Sequence, residues 1–371
     1  MAATGRPPFR ADHIGSLLRP AELRRAFRQH ADGELDERTF RRMQNEAIRD
    51  VVRLQQDAGL AVCTDGEFRR GSYWSRFVEL TEGLTVREAL FSFRDEHGHA
   101  QSFTAPHVVG RVARRAPIAL DEFSYLRSIA AATTPKITLP SPSTMHFWRG
   151  RQFADPGVYA DAESSFRDLA AVYRLEIADL ADAGCRYVQL DEVALAMLCD
   201  PRVRESVAAD GGDPEALAVL YVDAINEAVA ERPPGMVIGV HLCRGNFKGK
   251  YLAEGGYERI AAALFERAAV DHFLLEFDTP RAGDFAPLRL VPQTKGVVLG
   301  LVSSKVPALE PLDLLRRRVA EAARQIDPDR LAISPQCGFA STVAGNPLTE
   351  IDERLKLRRV VEAALAIWGT P

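Results

Sequence analysis

The stretch Met236-Val-Ile-Gly-Val-His-Leu-Cys243 is an apolar run that ends in a histidine and a cysteine two residues apart. A short run of this kind, rich in β-branched residues, predicts a buried strand. Residues i and i+2 of a strand project from the same face, so the imidazole of His241 and the thiol of Cys243 are expected to point toward one spot. The stretch therefore predicts a strand whose end carries half of a metal site.

Similar apolar runs recur along the chain, and helical patterns separate most of them. Eight strands are predicted, at residues 9–14, 60–65, 136–140, 186–190, 236–243, 272–277, 296–300 and 330–334. This alternation predicts an α/β fold, a (β/α)₈ TIM barrel that forms a single catalytic domain over residues 1–371. A doubly wound open sheet is the rival architecture, but no Gly-x-Gly-x-x-Gly loop follows the first strand.

The predicted alternation is interrupted between the second and third strands. Residues 77–134 show alternating stretches and a His-Gly-His turn at residues 97–99. We expect an insertion in the barrel here, made of a hairpin and loops.

Composition restricts the classes of function. The chain has 371 residues, a formal net charge of -4, 46% hydrophobic residues and 26% charged residues, which is ordinary for a globular protein. Basic residues are interleaved with acidic ones, so neither nucleic acid nor a membrane surface is expected as a partner. Five scattered cysteines indicate reduced thiols, and with no apolar signal segment at the N-terminus a cytoplasmic protein is expected. The oligomeric state stays open, with a homodimer as one expectation.

Two more metal-ligand candidates follow later predicted strands. Glu276 stands in Leu274-Leu-Glu-Phe-Asp278, and Cys337 stands in Ile333-Ser-Pro-Gln-Cys-Gly-Phe339. In a barrel the carboxyl ends of all strands converge on one mouth, so these side chains are expected near His241 and Cys243. One nitrogen, two sulfurs and a carboxylate suit Zn²⁺, which accepts all three donor types in tetrahedral geometry.

Ordered motifs at these strand ends resemble the catalytic barrel of cobalamin-independent methionine synthase. They are Ile-Gly-Ser at 14–16, Asp-Gly-Glu at 65–67, Leu-Asp-Glu at 190–192, His-Leu-Cys at 241–243 and Ser-Pro-Gln-Cys-Gly-Phe at 334–339. The resemblance implies a zinc enzyme that transfers a methyl group to the thiol of homocysteine, forming methionine. It implies zinc ligation by His241, Cys243, Glu276 and Cys337.

The same resemblance implies how the substrates bind. Glu67 and Asp191 match positions that hold the ammonium group of the amino acid, while Ile14, Gly15 and Ser16 match the loop that holds its carboxylate. Trp148 matches an aromatic residue that stacks on the methyl donor. The implied donors are methyltetrahydrofolate or a corrinoid protein.

Departures from the family pattern leave alternatives open. A histidine expected after the seventh strand as proton donor is replaced by Ser303-Ser-Lys305, so Lys305 or the two serines become the candidates to supply a proton or orient the donor. Transfer of an alkyl group to another thiol, such as coenzyme M, is one rival function. A noncatalytic protein stabilised by zinc is the other.

Overall fold

The structure of the protein is a computed structural model, which describes residues 5–90, 93–94 and 100–371. The predicted turn at residues 97–99 lies outside the described residues. Six parallel strands, adjacent in chain order, form the main sheet. They are Ile137–Pro140, Tyr187–Glu192, Val237–Leu242, His272–Glu276, Gly296–Val302 and Leu331–Pro335.

Two short segments complete the ring of eight. Val62–Cys63 pairs in parallel with Thr134–Pro135, just before the third barrel strand. Ala11 pairs in parallel with Ile333 of the eighth strand. These two segments, at Ala11 and at Val62–Cys63, are the first and second strands of the barrel. They are joined beyond their carboxyl ends, where the amide of Leu17 donates to the carbonyl of Gly66 at 3.1 Å. The predicted (β/α)₈ barrel is therefore confirmed, with its first two strands much shorter than the others.

Helices cover the outside of the barrel. The longer ones are Ala21–Ala31, Glu37–Asp57, Leu120–Ile129, Ala162–Asp182, Pro201–Ala209, Pro214–Val229, Leu312–Ala322 and Glu350–Trp368. Several begin at an aspartate or threonine whose side chain accepts a hydrogen bond from the first turn, as Asp36, Asp161 and Thr349 do. None of the helices in the described residues is long and apolar enough to cross a membrane.

Between the second and third strands the chain forms the helix Ser75–Glu79 and an antiparallel hairpin of Thr81–Glu88 with Thr104–Arg114. Val86 and Phe103 of this hairpin reach the large cavity at the mouth of the barrel. The hairpin thus contributes one wall of that cavity.

The lower half of the barrel interior is polar. The ammonium of Lys136 contacts Asp12 at 2.7 Å and Gln189 at 3.1 Å, and the Tyr187 hydroxyl donates to Asp12 at 2.6 Å. The Tyr187 hydroxyl also lies 2.8 Å from the ring of His272. Buried charges are tolerated only when paired and hydrogen-bonded, and these are. This network joins the amino-terminal ends of the fourth and sixth strands, where Tyr187 and His272 begin them.

Candidate metal and substrate site

Three of the predicted metal ligands meet at the mouth of the barrel. His241 is the last residue but one of the fifth strand, Cys243 directly follows that strand, and Cys337 comes two residues after the eighth strand. Their candidate ligand atoms all lie within 4.8 Å of one another, and the two sulfurs are 3.2 Å apart. All three residues are buried. Strands distant in sequence therefore bring two thiols and an imidazole to one spot.

The ring of His241 is oriented for ligation through one nitrogen. Nδ1 lies 3.2 Å from the carbonyl oxygen of Leu274, to which it can donate. Nε2 is buried and has no hydrogen-bond partner among the residues that the structure describes. A hydrogen bond at one ring nitrogen fixes the tautomer and leaves a lone pair on the other, which is the usual arrangement of a metal-binding histidine.

Electrostatics around this group favour a cation. The hydrogen bond with Cys243, together with burial, raises the pKa of Cys337 well above its ordinary value. Burial alone would lower the pKa of His241, but the nearby Cys337 sulfur and the Asp191 carboxylate raise it. A divalent metal would instead let both thiols ionise, because coordination deprotonates a thiol. An unpartnered Nε2 and two adjacent sulfurs thus fit zinc.

Glu276 is close by, but its carboxylate is not among the three clustered ligand atoms. It ends the sixth strand, next to the fifth, and is fully buried. One oxygen lies 2.6 Å from a guanidinium nitrogen of Arg281, and the other lies 3.4 Å from the backbone amide of Arg244. The structure therefore brings together three of the four predicted ligands and holds the fourth in an ion pair.

The two carboxylates predicted to bind an ammonium group face the same cavity. Glu67 has a left-handed backbone conformation, with φ of 61°, which is uncommon for a residue with a side chain. One of its carboxylate oxygens accepts a hydrogen bond from Thr138 at 2.7 Å. The other oxygen is buried without a partner in the described part of the chain. Backbone strain and an unsatisfied buried oxygen are features that concentrate at functional positions, so both are compatible with the predicted role of Glu67.

Asp191 lies at the end of the fourth strand and also lines the cavity. Its Oδ1 accepts a hydrogen bond from Gln189 at 2.7 Å. Burial, and next the negative charge of Glu67, raise the pKa of Asp191 to about 7. A bound cation would stabilise the ionised form of Asp191 beside the negative charge of Glu67.

The loop Ile14-Gly-Ser16 forms the adjoining wall, and Ile14 and Ser16 line the cavity. Gly15 has φ of 136°, and a Cβ there would lie 2.6 Å from Cγ2 of Thr138. Only glycine fits this conformation and this approach. The loop therefore packs directly on the threonine that holds Glu67.

The cavity at this mouth has a volume of about 650 Å³. Trp148, from the 3₁₀ helix Phe147–Gln152, lines it and packs edge-on against Phe103 of the hairpin, with ring centroids 5.2 Å apart. Other aromatic lining residues are Tyr73, Trp74 and Phe247. The metal-ligand group, both carboxylates and an aromatic wall thus share one space.

Lys305 is placed differently from the other candidates. Its ammonium lies 3.1 Å from the carbonyl of Gly245 and 3.4 Å from Oδ1 of Asn246, and Lys305 is not part of the cavity lining. Its charge is the main factor that lowers the pKa of Glu276 against the effect of burial. A role for Lys305 as proton donor stays a prediction.

Sequence reasoning missed several residues that shape the site. Gln189 could have been identified from the sequence, because alternate residues of a strand share one face and Gln189 is two residues before Asp191. The sequence contains no motif that links Arg281 to Glu276 or Thr138 to Glu67, so neither contact could be predicted. The buried hydroxyl of Tyr73, which lacks a hydrogen-bond partner within the described ranges and lines the cavity, was also missed.

The fold and the site together define a barrel enzyme with its reactive groups at the carboxyl ends of the strands. A sequence profile described as the catalytic domain of cobalamin-independent synthase matches residues 9–365. The chain therefore belongs to the family of cobalamin-independent methionine synthase-like methyltransferases, which confirms the resemblance read from its motifs.

Individual relatives agree over nearly the full length. The uncharacterized protein YxjH of Bacillus subtilis is 40% identical over 97% of this chain and 95% of its own. The methionine synthase of Pyrococcus furiosus is 26% identical over 96% of this chain and 91% of its own length. The crystal structure of a Listeria monocytogenes protein, proposed to be a vitamin-B12-independent methionine synthase, superposes with a TM-score of 0.77. That protein is 30% identical, and the match covers 98% of this chain and 99% of the other.

Proposed function

We propose that the protein is a zinc-dependent methyltransferase that transfers a methyl group to the thiol of homocysteine and forms methionine. The observation that carries this proposal is the convergence of His241, Cys243 and Cys337 in the lining of a cavity that Glu67 and Asp191 also line. A thiol-activating centre and an ammonium-binding pair in one cavity match an aminothiol acceptor.

His241, Cys243 and Cys337 would hold the zinc ion, with Glu276 as the exchangeable fourth ligand. When bound, zinc would keep the substrate thiol deprotonated at neutral pH, where a free thiol is mostly protonated. Leu274 contributes by accepting from Nδ1 of His241, which orients the ring. The ion pair with Arg281 would hold Glu276 while the substrate sulfur occupies its place.

The amino acid end of the substrate would be held by the acidic pair, of which Asp191 is the cross-strand neighbour of His241. Glu67 and Asp191 would accept hydrogen bonds from the ammonium group, and the pair loses its mutual repulsion when that cation binds. The loop at Ile14, Gly15 and Ser16 would hold the carboxylate. Thr138 and Gln189 keep the two acidic side chains in place. Fixing both ends of a short aminothiol orients its sulfur toward the donor.

Metal analysis and thiol titration test this proposal. The purified protein is expected to hold about one zinc per chain and to release a proton when homocysteine binds near neutral pH. Methionine bearing a labelled methyl group is the expected product when a competent donor is added. A protein that keeps zinc but shows no proton release and no thiol binding would be a structural zinc protein instead.

The rival acceptor is a thiol without an ammonium group, such as coenzyme M. Comparison of homocysteine with 2-mercaptoethanesulfonate separates the two readings. We expect homocysteine to have the higher kcat/KM, because only it can pair with Glu67 and Asp191. A preference for the sulfonate would favour the rival acceptor.

A further inference from the structure

The two thiols of the candidate metal centre belong to loops that the structure ties together. Cys243 begins the loop after the fifth strand, and Cys337 lies in the loop after the eighth strand. The carbonyl oxygen of Gly338, the residue after Cys337, accepts two hydrogen bonds from other loops. Nδ2 of Asn246, on the Cys243 loop, donates to it at 2.7 Å, and the hydroxyl of Ser304, after the seventh strand, donates at 2.9 Å. Three strand-end loops therefore meet at one peptide group next to a candidate ligand.

The side-chain amide of Asn246 is held in turn by Lys305. The ammonium of Lys305 lies 3.4 Å from Oδ1 of Asn246 and 3.1 Å from the carbonyl oxygen of Gly245. Asn246 and Lys305 are each only 8% exposed, so water competes little for these contacts. An amide with its oxygen toward a cation and its nitrogen toward a carbonyl satisfies both partners in one orientation only. Lys305 thus fixes the direction in which Asn246 donates.

The turn that carries Cys337 is also held by the loop after the first strand. The amide of Phe339 donates to the carbonyl of Ser16 at 2.8 Å. Gly338 has no room for a side chain, because a Cβ there would overlap Oγ of Ser16. With Ser16 closely packed on this turn, the hydrogen bond from Asn246 determines how the Cys243 loop is placed relative to it.

From this geometry we propose that Lys305 and Asn246 are positioning residues of the metal centre, which hold the Cys243 loop on the Cys337 loop. The inference rests on the proposed function for the zinc ion itself. By joining the loops, the pair keeps the two sulfurs at the 3.2 Å separation seen in the structure. Ligands that are placed in advance bind a metal more tightly, because less ordering has to accompany binding. Lys305 then acts through Asn246, in a role distinct from that of the proton donor predicted from the sequence.

Charge alone would give Lys305 the opposite effect on a metal. An ammonium near the clustered ligands repels a second cation, so its removal should strengthen metal binding if only charge matters. Lys305→Met removes the ammonium and keeps an unbranched apolar side chain. If Lys305 positions the loops, the same substitution weakens metal binding. The sign of the change therefore separates the two roles.

Metal titration of the full-length protein, freed of metal beforehand, tests the proposal without any turnover. Co²⁺ is the probe beside Zn²⁺, because its visible absorption reports the ligand type and the coordination geometry. We expect Lys305→Met and Asn246→Ala each to weaken the binding of both ions by about tenfold or more, and to alter the Co²⁺ spectrum. Thermal unfolding of the metal-free proteins is measured alongside.

Two matched controls remove equivalent hydrogen bonds outside the cavity lining. Lys295 is 9% exposed, and its ammonium donates to the carbonyl of Phe265 at 2.8 Å. Asn226 donates to the carbonyl of Arg267 at 3.0 Å. Lys295→Met and Asn226→Ala are expected to lower the unfolding temperature without changing metal affinity or the Co²⁺ spectrum. If the two test variants fail to fold, Ser304→Ala decides, because it removes the other hydrogen bond to Gly338 and should also weaken metal binding.

A second probe measures the spacing of the sulfurs when no metal is bound. Phenylarsine oxide bridges two adjacent thiols through one arsenic atom, and its affinity for Lys305→Met and Asn246→Ala should fall by about tenfold or more. Unchanged affinity for this probe in both variants, or tighter binding of Co²⁺ by Lys305→Met, would overturn the proposal. If the wild type binds neither metal ion, the proposed function fails, and the arsenical comparison still decides whether Lys305 and Asn246 position the thiols.

Discussion

The carboxylate of Glu276 lies 2.6 Å from a guanidinium nitrogen of Arg281, five residues further along the chain. The same guanidinium lies 3.6 Å from Asp278 and is stacked over the ring of Tyr251 at 4.1 Å. Arg281 therefore has a second carboxylate at hand. It can release Glu276 toward the clustered ligands without becoming an unpaired cation.

We expect Arg281→Ala to make zinc harder to remove. Without its guanidinium partner the buried Glu276 would be left as an unpaired charge, and coordination to the metal would be its best compensation. Zinc loss to a chelator should slow by about threefold or more, and the KM for homocysteine should rise because the substrate sulfur must displace a tighter ligand. Arg281→Lys, which keeps the charge, should stay close to the wild type. Faster zinc loss from Arg281→Ala would contradict this account.

Replacing either clustered thiol should remove the metal without unfolding the barrel. Cys243→Ser and Cys337→Ser are each expected to lower bound zinc well below one per chain, because a hydroxyl is a much poorer zinc ligand than a thiolate. The thermal unfolding temperature should change little, since the core of a domain this large does not depend on one metal. Cys199→Ser is the matched control, as this buried thiol is not one of the clustered ligands and donates a hydrogen bond to the Leu195 carbonyl at 3.7 Å. Global unfolding of both test variants would indicate a structural metal.

The strand ends were predictable because they depend on local pattern. Apolar runs set the strands, and the parallel barrel places every strand's carboxyl end at one mouth, which located His241, Cys243, Cys337, Glu67 and Asp191. The partners of Arg70, which follows the second strand, could not be predicted in this way. Arg70 is 3% exposed and pairs with Glu122 and Thr138. Such pairings join residues more than fifty positions apart, and only the folded chain reveals them.

The contact between Glu276 and Arg281 shows the same limit at shorter range. The sequence identifies Glu276 as a strand-end carboxylate, but not which way the carboxylate turns. The carboxylate can pair with the guanidinium of Arg281 or turn toward the clustered metal ligands. Which of the two it does depends on the side-chain geometry of the loop after the strand. A hairpin was likewise expected in the inserted segment, but not its place in the cavity wall, where Phe103, next to the second hairpin strand, packs on Trp148.

Neutralising the acidic pair should weaken binding of the amino acid. Glu67→Gln and Asp191→Asn are each expected to raise the KM for homocysteine by roughly ten- to a hundredfold, the loss of one hydrogen bond to a charged group. Asp191→Asn should also raise thermal stability slightly at pH 8, because it removes repulsion from Glu67. A thiol acceptor without an ammonium group serves as the control, and its KM should not rise. An unchanged KM for homocysteine in both variants would remove these residues from the site.

Gly15 provides a steric test of the substrate loop. Gly15→Ala would place a methyl group 2.6 Å from Cγ2 of Thr138 and 3.4 Å from Glu67 at an unfavourable positive φ. We expect a destabilisation of about 1–3 kcal/mol and a higher KM for homocysteine, because Thr138 must move away from Glu67.

Gly157→Ala is the matched control for this substitution. Gly157 also has a positive φ, of 84°, but a Cβ there would meet nothing within 4 Å. Its destabilisation should be only about 1 kcal/mol, the cost of the backbone conformation alone, with no effect on KM. Equal effects of the two substitutions in chemical denaturation and in kinetics would mean that the contact with Thr138 affects neither the free energy of unfolding nor KM.

The pH dependence of stability should contain a contribution from Glu353, far from the cavity. This carboxyl group is buried in the last helix and accepts a hydrogen bond from the amide of Leu18 at 2.8 Å. Burial raises its pKa from 4.5 to about 8. The folded state thus favours the protonated form, so its contribution to stability is full below about pH 4.5 and is lost as the pH rises toward 8.

Glu353→Gln keeps an acceptor for Leu18 and cannot ionise. Its free energy of unfolding relative to the wild type should therefore increase by about 1–3 kcal/mol between pH 5 and pH 8, measured by urea denaturation at both values. The exposed Glu34→Gln should show no such increase, and a flat difference for Glu353→Gln would mean that this carboxyl group ionises normally in the folded protein.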